Sequence, residues 1–309
     1  MAKLKSLVSI VIPNYNGEEL LKQNLPKIAQ AALAYDSTIE IIVVDDASID
    51  NSVTQIESQR SKVKNIKLVR HEKNRGFSVA VNTGVANARG DIVVLLNSDV
   101  SPEFNFLEPL ISHFTDEKIF AVGCLDKSIE GNKTIERGRG IGWWERGMVV
   151  HKRGEVNKAD TFWVSGGSGA FRKYIWDKLG GMDELYKPFY WEDIDLSYRA
   201  RKAGYKLLFE SKSVVTHAHS DGTIKSNFSD EEIKSIAYRN QLLFVWKNIT
   251  DLQLTISHIV WLPYHFLATI ARGDFAFSYG FVLALFRLGI VSRQRSNYVY
   301  NDKKILNKT

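Results

Sequence analysis

Acidic residues follow two of the predicted strands in this sequence. Asp45 and Asp46 come directly after a β-branched run, and a carboxylate there could accept hydrogen bonds from a nucleobase or a ribose hydroxyl. Asn97-Ser98-Asp99 follows another such run. A carboxylate at a strand end can bind a hard divalent cation, because such cations prefer oxygen ligands. Each of these acids could instead cap a helix or lie in a solvated turn.

Three further acids lie within four residues in Trp191-Glu192-Asp193-Ile194-Asp195, where a helix is predicted to begin. A helix N-terminus favours negative charge, which accounts for at least one of them. An acid that points into a cleft could instead act as a general base toward an attacking hydroxyl. The neighbouring aromatic residues could shape an acceptor-sugar site and raise the pKa of that base by desolvation.

Two histidines follow a later strand, in His217-Ala218-His219. Residues at i and i+2 face the same side of a strand, so both side chains could point toward one site. A neutral imidazole could complete a coordination shell begun by Asp99. A structural role in the strand is the alternative.

Two glycine-containing segments are candidate ligand loops. Asn74-Arg75-Gly76 precedes a helix of small residues, and Gly76 would let the backbone approach a ligand while Arg75 meets a phosphate. A strand-to-helix turn is the alternative. The loop around Gly167 is either an open acceptor-side loop or a tight passage between strands.

Strands and helices alternate through the first hundred residues. Short β-branched runs predict strands at 7–12, 39–44, 66–70 and 91–96, and helical patterns separate them at 18–34, 50–59 and 78–88. This order is typical of an open, doubly wound α/β sheet that is mostly parallel. Such sheets bind ligands at the carboxyl ends of their strands, where the acids at 45, 46 and 99 are expected.

Composition excludes several classes of protein. The chain has 309 residues and a formal net charge of +6, which suits an anionic partner such as a phosphorylated substrate or an acidic membrane surface. The positive charge is diffuse and nucleic-acid motifs are absent, so we expect no nucleic-acid partner. The one cysteine, Cys124, fits a reducing compartment, and residues 1–6 lead straight into a strand. We therefore expect a cytoplasmic location.

Taken together, these segments resemble inverting glycosyltransferase family 2, and within it the rhamnosyltransferase-like members. The matching text is SIVIPNYNG, IIVVDDASIDNS, NRGFSVAVNTGVANARGDIVVLLNSDV, GGSGAFRK and GGMDELYKPFYWEDIDLSYRARKAGYKL, within residues 7–240. The resemblance implies a GT-A fold, an open, mostly parallel Rossmann-like sheet flanked by helices. It also implies a nucleotide-sugar transferase domain at 1–240, followed by a helical, amphipathic region at 241–309.

The resemblance also implies where the donor binds. Pro13 and Tyr15 would border the nucleotide, and Asp46 would contact the base with Asp45 beside it. The full set of expected nucleotide-sugar-binding residues is Pro13, Tyr15, Asp45, Asp46, Asn74, Arg75, Gly76, Asn97 and Ser98.

The remaining roles concern the metal and the chemistry. Asp99 would bind Mg²⁺ or Mn²⁺ with help from His217 or His219, and Asn97 stands where the family often has a first acid. Asp193 would be the catalytic base. The expected acceptor-side residues are Gly167, Trp191 and Glu192.

The resulting hypothesis is an inverting transferase that moves a sugar from a nucleotide-diphosphate sugar to a hydroxyl of a glycan or lipid-linked glycan, in cell-surface polysaccharide synthesis. The alternative is a catalytically silent nucleotide-sugar-binding scaffold protein of the same fold. A dinucleotide-dependent oxidoreductase would need Gly-x-Gly-x-x-Gly after the first strand. The sequence has Pro13-Asn14-Tyr15-Asn16-Gly17 there, which argues against that class.

The C-terminal region contains two apolar stretches, at 252–270 and 275–291. Both include polar residues, and neither forms an uninterrupted apolar span of 20 residues. They are rich in aromatic residues and are followed by arginines, which is typical of helices in a membrane interface. We therefore expect peripheral contact at the inner face of a membrane. Internal packing, dimerisation or a true membrane span are the alternatives.

Overall fold

The computed structural model describes residues 7–306, except 37, 62, 64, 131–132, 219–226 and 292–298. The strands are β1 (Val8–Asn14), β2 (Glu40–Asp45), β3 (Ile66–Arg70), β4 (Ile92–Leu96), β5 (Val100–Pro102), β6 (Ile119–Glu130), β7 (Lys133–Arg137), β8 (Gly140–Glu145), β9 (Met148–Arg153), β10 (Ser168–Arg172) and β11 (Lys206–Ala218). The α-helices are α1 (Glu18–Tyr35), α2 (Ser52–Arg60), α3 (Phe77–Ala86), α4 (Leu107–Ser112), α5 (Lys173–Leu179), α6 (Glu192–Lys202), α7 (Asp230–Asn248), α8 (Leu252–Ile270), α9 (Ala276–Leu285), α10 (Leu288–Val291) and α11 (Asp302–Leu306).

The first four strands form a parallel sheet in the order β3-β2-β1-β4. Strands β1, β2 and β4 are buried along their whole length, as expected for parallel strands with helices on both faces. The chain winds outward from β1 to β3 and then returns to the other side of β1 to form β4. Such a reversal opens a crevice at the carboxyl ends of the two central strands. Asn14 ends β1 and Asn97 follows β4 at this crevice.

The sheet continues as β4-β10-β6-β11-β5, with β7 paired to β6. Strand β10 is antiparallel to both of its neighbours, whereas β6 and β11 are parallel. The expected open α/β sheet is confirmed, and its second half is mixed because β10 runs against β4 and β6. Strand β11 is continuous, with an irregularity in its register with β6 between Glu210 and Val214.

Alternating side chains of the parallel strands build a hydrophobic layer on each face of the sheet. Ile10 and Ile12 of β1 point toward α1, α2 and α4, whereas Val11 packs with α3, α5 and α6. The predicted doubly wound arrangement is therefore present. It leaves the strand ends uncovered by either layer, which is where polar side chains can gather.

The C-terminal helices pack on the far side of α6. Leu243 and Phe244 of α7 and Phe277 of α9 share a hydrophobic cluster with Trp191 and Tyr198. The domain boundary expected at residue 240 falls within α7, which is continuous in the structure. The division into two domains stays a prediction.

A buried group of charges also joins α6 to α7. The Asp195 carboxylate accepts hydrogen bonds from Arg199 Nε at 2.7 Å, from Lys247 Nζ at 2.8 and 2.9 Å, and from Asn248 Nδ2 at 2.7 Å. Burial opposes the charge, but Arg199 and Lys247 hold the pKa of Asp195 well below its usual range. Removing one partner from such a buried pair typically costs about 3–5 kcal/mol. The two helices are therefore firmly coupled.

None of the described helices combines the length and the apolar character that crossing a bilayer requires.

Candidate active site

Asp99 and His217 meet at the end of the central strands. Asp99 lies between β4 and β5, and His217 lies on β11, opposite Val100 of β5. His217 Nε2 is 2.8 Å from Asp99 Oδ2, and His217 Nδ1 is 3.4 Å from Asp126 Oδ2 on β6. The imidazole is thus held between two carboxylates. The structure brings together two of the predicted metal ligands, whereas His219 lies outside the described residues.

These two carboxylates set the charge of the imidazole. Burial disfavours the protonated form, but the hydrogen bonds to Asp126 and Asp99 outweigh it and raise the pKa of His217 to about 9. The imidazole is therefore protonated on both nitrogens at neutral pH, and a cation at Nε2 would have to displace the proton there while Asp126 holds the one on Nδ1. Such a carboxylate–histidine pair is a common way of orienting a metal-ligating imidazole.

The residues around Asp99 fit a divalent cation that is shared with a substrate. Asp99 Oδ1 is buried without a hydrogen-bond partner, and Asp99 Oδ2 lies beside a histidine nitrogen. The described residues include no group of three or more His, Cys, Asp or Glu side chains arranged to hold a metal ion. Magnesium-type ions commonly take one or two carboxylates and complete their shell with phosphate oxygens and water. The site therefore suits a cation that binds together with a diphosphate.

Two more buried oxygens at the crevice have no hydrogen-bond partner, Asn14 Oδ1 and Asn97 Oδ1. Gly17 keeps this space open, because a Cβ there would lie 2.3 Å from Asn14 Oδ1 and 3.3 Å from Ser98 Oγ. An unsatisfied buried acceptor costs about 1–3 kcal/mol, so such oxygens normally receive a donor from water or a ligand. The crevice between β1 and β4 is therefore equipped to bind a polar group.

Asp45 and Asp46 are engaged with their surroundings. Asp45 Oδ1 accepts a hydrogen bond of 3.2 Å from Asn14 Nδ2. Asp46 accepts the amide hydrogens of Arg75 at 2.9 Å and Gly76 at 2.7 Å, and its Oδ1 lies 2.6 Å from His71 Nδ1. Asp46 thereby fixes the loop before α3. A nucleobase that bound Asp46 would have to share a carboxylate oxygen of Asp46 with these donors.

The other expected donor-side residues line the rim. Pro13 is buried in β1, where it pairs with Val44, and Tyr15 is exposed just after the strand. Asn74 and Arg75 are exposed, and Gly76 has φ +86°, a value that glycine adopts without strain. The carboxyl ends of β1 and β2 thus border the same opening as this loop.

The acids at the start of α6 follow a turn with unusual backbone geometry. Tyr190 and Trp191 have φ values of +70° and +79°, in the left-handed region that costs most residues about 1–2 kcal/mol. Asn240 Nδ2 donates to the carbonyls of Tyr186, Phe189 and Tyr190 at 2.7, 2.8 and 2.9 Å. Helix α7 therefore holds this turn in place and sets where α6 begins.

Glu192 and Asp193 differ in their surroundings. Asp193 keeps part of its surface exposed, whereas Glu192 is buried and its Oε2 has no hydrogen-bond partner. Desolvation raises the pKa of Asp193 to about 6, although the amides of Ile194 and Gly166 stabilise its ionised form. Desolvation and then repulsion from Asp193 raise the pKa of Glu192 to about 8. Burial thus raises the pKa of both carboxyls, and the proton of the pair is favoured on the more deeply buried Glu192.

A short glycine loop connects these acids to the crevice. The amide of Gly166 lies near the Asp193 carboxylate and helps to lower its pKa, and the carbonyl of Gly167 accepts the amide hydrogen of Asn97 at 2.9 Å. A Cβ at Gly167 would lie 2.7 Å from Asn97 Nδ2. Two consecutive residues therefore touch Asp193 on one side and the segment that carries Asp99 on the other. Asp193 and the segment that carries Asp99 thus lie on either side of this loop, and their convergence on one cleft stays a prediction.

Trp191 packs into the protein beneath this loop. The Trp191 ring lies 5.1 Å from the ring of His151 and 5.0 Å from that of Phe244. The His151 ring in turn lies 5.2 Å from that of Trp163. Trp191 is buried, whereas the more exposed His151 and Trp163 lie on the outer side of this aromatic group, and the acceptor-side role of Trp191 stays a prediction.

Sequence reasoning missed three residues of this site. Asp126 was overlooked because only the pairing of β6 with β11 brings it to His217. His71 follows β3 and was not recognised as the partner of Asp46. Asn14 ends β1 as a polar residue after an apolar run, the same signal that identified Asp99, and it could have been found.

Comparisons with known proteins point to one family. The family described as Glycosyl transferase family 2 matches residues 9–179, more than half of the chain. The pre-mycofactocin glycosyltransferase of Mycobacterium tuberculosis is 28% identical over 221 residues, which cover 69% of this chain and 43% of that protein. The O-antigen chain rhamnosyltransferase RfbN of Salmonella typhimurium is 24% identical over 220 residues, covering 69% of this chain and 67% of RfbN. The chain thus spans less than half the length of the first of these relatives.

Solved structures show the same fold. The crystal structure of GalNAc-T7 with UDP, GalNAc and Mn²⁺ superposes with a TM-score of 0.65 at 19% identity, covering 94% of this chain and 59% of GalNAc-T7. The expected GT-A fold is therefore confirmed. The similarity to RfbN lends weak support to the rhamnosyltransferase-like subtype.

Proposed function

Because this chain belongs to glycosyltransferase family 2, we propose that it is an inverting enzyme that transfers a sugar from a nucleotide-diphosphate sugar to an acceptor hydroxyl. The observation that carries the proposal is the glycine loop, which contacts both Asp193 and Asn97. This contact supports a single cleft in which a base and a diphosphate site face the same substrate.

On the donor side, we propose that the nucleotide lies along the ends of β1 and β2. Tyr15 and the exposed Asn74 and Arg75 border this opening, and Arg75 can meet a phosphate. Asp46 acts mainly by fixing the loop that contains Gly76. The unpaired oxygens of Asn14 and Asn97 are suited to hydroxyl donors of the substrate.

Asp99 and His217 are the proposed ligands of Mg²⁺ or Mn²⁺, and Asp126 orients His217. A cation held there would neutralise negative charge on the departing nucleoside diphosphate. The Mn²⁺ in the GalNAc-T7 complex supports a divalent ion in this chain as well.

Asp193 is the proposed general base. It takes the proton of the acceptor hydroxyl as that oxygen bonds to the anomeric carbon, and the bond from this carbon to the diphosphate breaks with its electron pair on the leaving oxygen. Attack from the face opposite the leaving group inverts the anomeric configuration. Glu192 and Trp191 shape the acceptor side, and Gly167 keeps the cleft open beside Asn97.

The acceptor that we propose is a glycan or a lipid-linked glycan, in the synthesis of a cell-surface polysaccharide. The O-antigen role in the name of RfbN supports this assignment. A cytoplasmic location at the inner face of a membrane is proposed with it, because the one cysteine, Cys124, is buried and unpaired.

The pH dependence of transfer follows from the raised pKa of Asp193. A base must be ionised to work, so kcat/KM is expected to fall about tenfold per pH unit below pH 6, rather than below the pH of about 4 that is usual for a carboxyl. A pH profile measured with saturating Mn²⁺ and a neutral acceptor would check this expectation. A profile that stays flat down to pH 4.5 would contradict the role of Asp193.

A panel of nucleotide-sugars tests the proposed function directly. We expect one donor to be hydrolysed in the presence of Mn²⁺, and proton NMR of the first product to show an inverted anomeric centre. Nucleotide-sugar binding without any hydrolysis or transfer would favour the silent scaffold instead. Retention of configuration would contradict the inverting mechanism.

A further inference from the structure

Helix α8 has an outward face that is almost entirely apolar. Its exposed apolar side chains recur with helical spacing along one stripe. They are Leu252, Ile256, Ile259, Val260, Leu267 and Ile270. Of these, Val260 and Leu267 are 68% and 70% exposed. The residues of this helix that are fully buried are instead polar, His258 and Thr269.

The inner side of α8 packs Leu254, Leu262 and Phe266 on the core, and hydrogen bonds there fix its orientation. His258 Nδ1 lies 2.7 Å from the carbonyl of Gly147, and Trp246 Nε1 donates to His258 Nε2 at 2.9 Å. Two turns further, His265 Nε2 lies 2.7 Å from the carbonyl of Arg146. These contacts fix the rotation of α8 about its axis. The apolar stripe therefore cannot turn inward without breaking them.

The following helices extend the exposed apolar surface. Phe275, Tyr279 and Val282 are exposed on and just before α9, and Phe286 beyond it is 83% exposed. Soluble monomers rarely leave a contiguous apolar area of more than a few hundred Å² uncovered. We call the exposed apolar residues of α8 and α9, together with Phe275 and Phe286, the apolar face.

We propose that the apolar face docks on the surface of an anionic lipid bilayer. Its charge favours this partner: Arg272 is exposed, and residues 252–291 contain one acid, Asp274. Arg146 adds a cation at the edge, where it donates to the Tyr264 hydroxyl. A second copy of the chain would bring the same excess of cations, whereas acidic headgroups would neutralise it.

The aromatic residues of α8 agree with an interfacial position. Trp261 and Tyr264 are exposed and lie edge to face at 5.3 Å, and side chains of this type settle where apolar and wet regions meet. The described helices do not cross a bilayer, so α8 would lie in its surface.

The apolar face is attached firmly to the turn that precedes Glu192 and Asp193. Arg287 donates to the carbonyls of Leu185 and Lys187, in the same segment that Asn240 holds. A bilayer bound at α8–α10 would therefore keep a fixed relation to the cleft. The docking itself does not depend on the proposed transfer chemistry.

Sedimentation with lipid vesicles tests the proposal. We expect the full chain to bind vesicles of phosphatidylcholine and phosphatidylglycerol, to bind pure phosphatidylcholine less, and to lose part of its binding at high salt. Val260→Glu and Leu267→Glu should each weaken binding about tenfold, because each removes a largely exposed apolar side chain from the contact. The matched control is Leu33→Glu on α1, which is 54% exposed and should bind like the unchanged chain.

Three outcomes would overturn the proposal. They are absence of vesicle binding by the full chain, equal binding by Val260→Glu and Leu267→Glu, and a concentration-dependent dimer in ultracentrifugation that these variants abolish. Circular dichroism and hydrolysis of a soluble donor should be unchanged in both variants. A failure of docking can thus be told apart from misfolding and from a failure of the proposed chemistry.

Discussion

Asp193→Asn is expected to lower the turnover of transfer by about 10²–10⁴-fold, the usual contribution of a positioned general base. Asparagine keeps the shape of the side chain and can still accept from the Gly166 amide, but it cannot take a proton. Donor affinity should change little, since Asp193 acts on the acceptor hydroxyl. Turnover at saturating donor, together with calorimetry of donor binding, would separate the two effects.

Glu192→Gln is the matched control for this change. The raised pKa of Glu192 keeps its buried side chain protonated at neutral pH, so an amide of the same shape removes no charge. We expect it to retain turnover to within about tenfold, far above Asp193→Asn. If Asp193→Asn kept most of the turnover, or if both variants lost it equally, Asp193 would not be the base.

Asp99→Ala is expected to remove the effect of Mn²⁺ on donor binding. The substitution takes away both an oxygen beside His217 and a buried oxygen without a protein partner. We expect donor affinity in the presence of Mn²⁺ to fall by more than the 10–100-fold that is typical of losing an outer-shell partner. Calorimetry with Mn²⁺ and with a chelator would measure the difference.

Asp126→Asn is expected to have a smaller effect on Mn²⁺-dependent binding than Asp99→Ala. Asp126 contacts His217 and is placed to orient it, so this variant should weaken Mn²⁺-dependent binding by about 10–100-fold and leave metal-free binding unchanged. Equal Mn²⁺ enhancement in Asp99→Ala and in the unchanged chain would exclude Asp99 as a ligand. A larger effect from Asp126→Asn than from Asp99→Ala would reverse the two roles.

The half of the sheet that β1 to β4 form was predictable from the local sequence pattern. Buried parallel strands are short runs of β-branched residues, and this signal located β3 to the residue and β1, β2 and β4 to within two residues at either end. Polar residues after such runs are conspicuous, so the acids at the strand ends stood out. The order of these elements was enough to indicate where the crevice opens.

The rest of the sheet and of the candidate site depends on contacts between distant parts of the chain. Asp126 and His217 are 91 residues apart and meet only through the register of β6 with β11, which contains an irregularity between Glu210 and Val214. The engagement of Asp46 by backbone amides is also invisible in a residue pattern. No local pattern shows that Asn240 holds the turn before the acids, because Asn240 donates to the carbonyl of Tyr186, 54 residues away in the chain.

The width of the cleft depends on two adjacent glycines, Gly166 and Gly167. A Cβ at residue 166 would lie 2.5 Å from Met182 Cε, and one at residue 167 would lie 2.7 Å from Asn97 Nδ2. A side chain at residue 166 would therefore press on the flexible end of Met182, whereas one at residue 167 would press on Asn97. Substitutions at these two neighbouring positions are thus expected to change different sides of the loop, so that each side can diverge separately as substrate preference evolves.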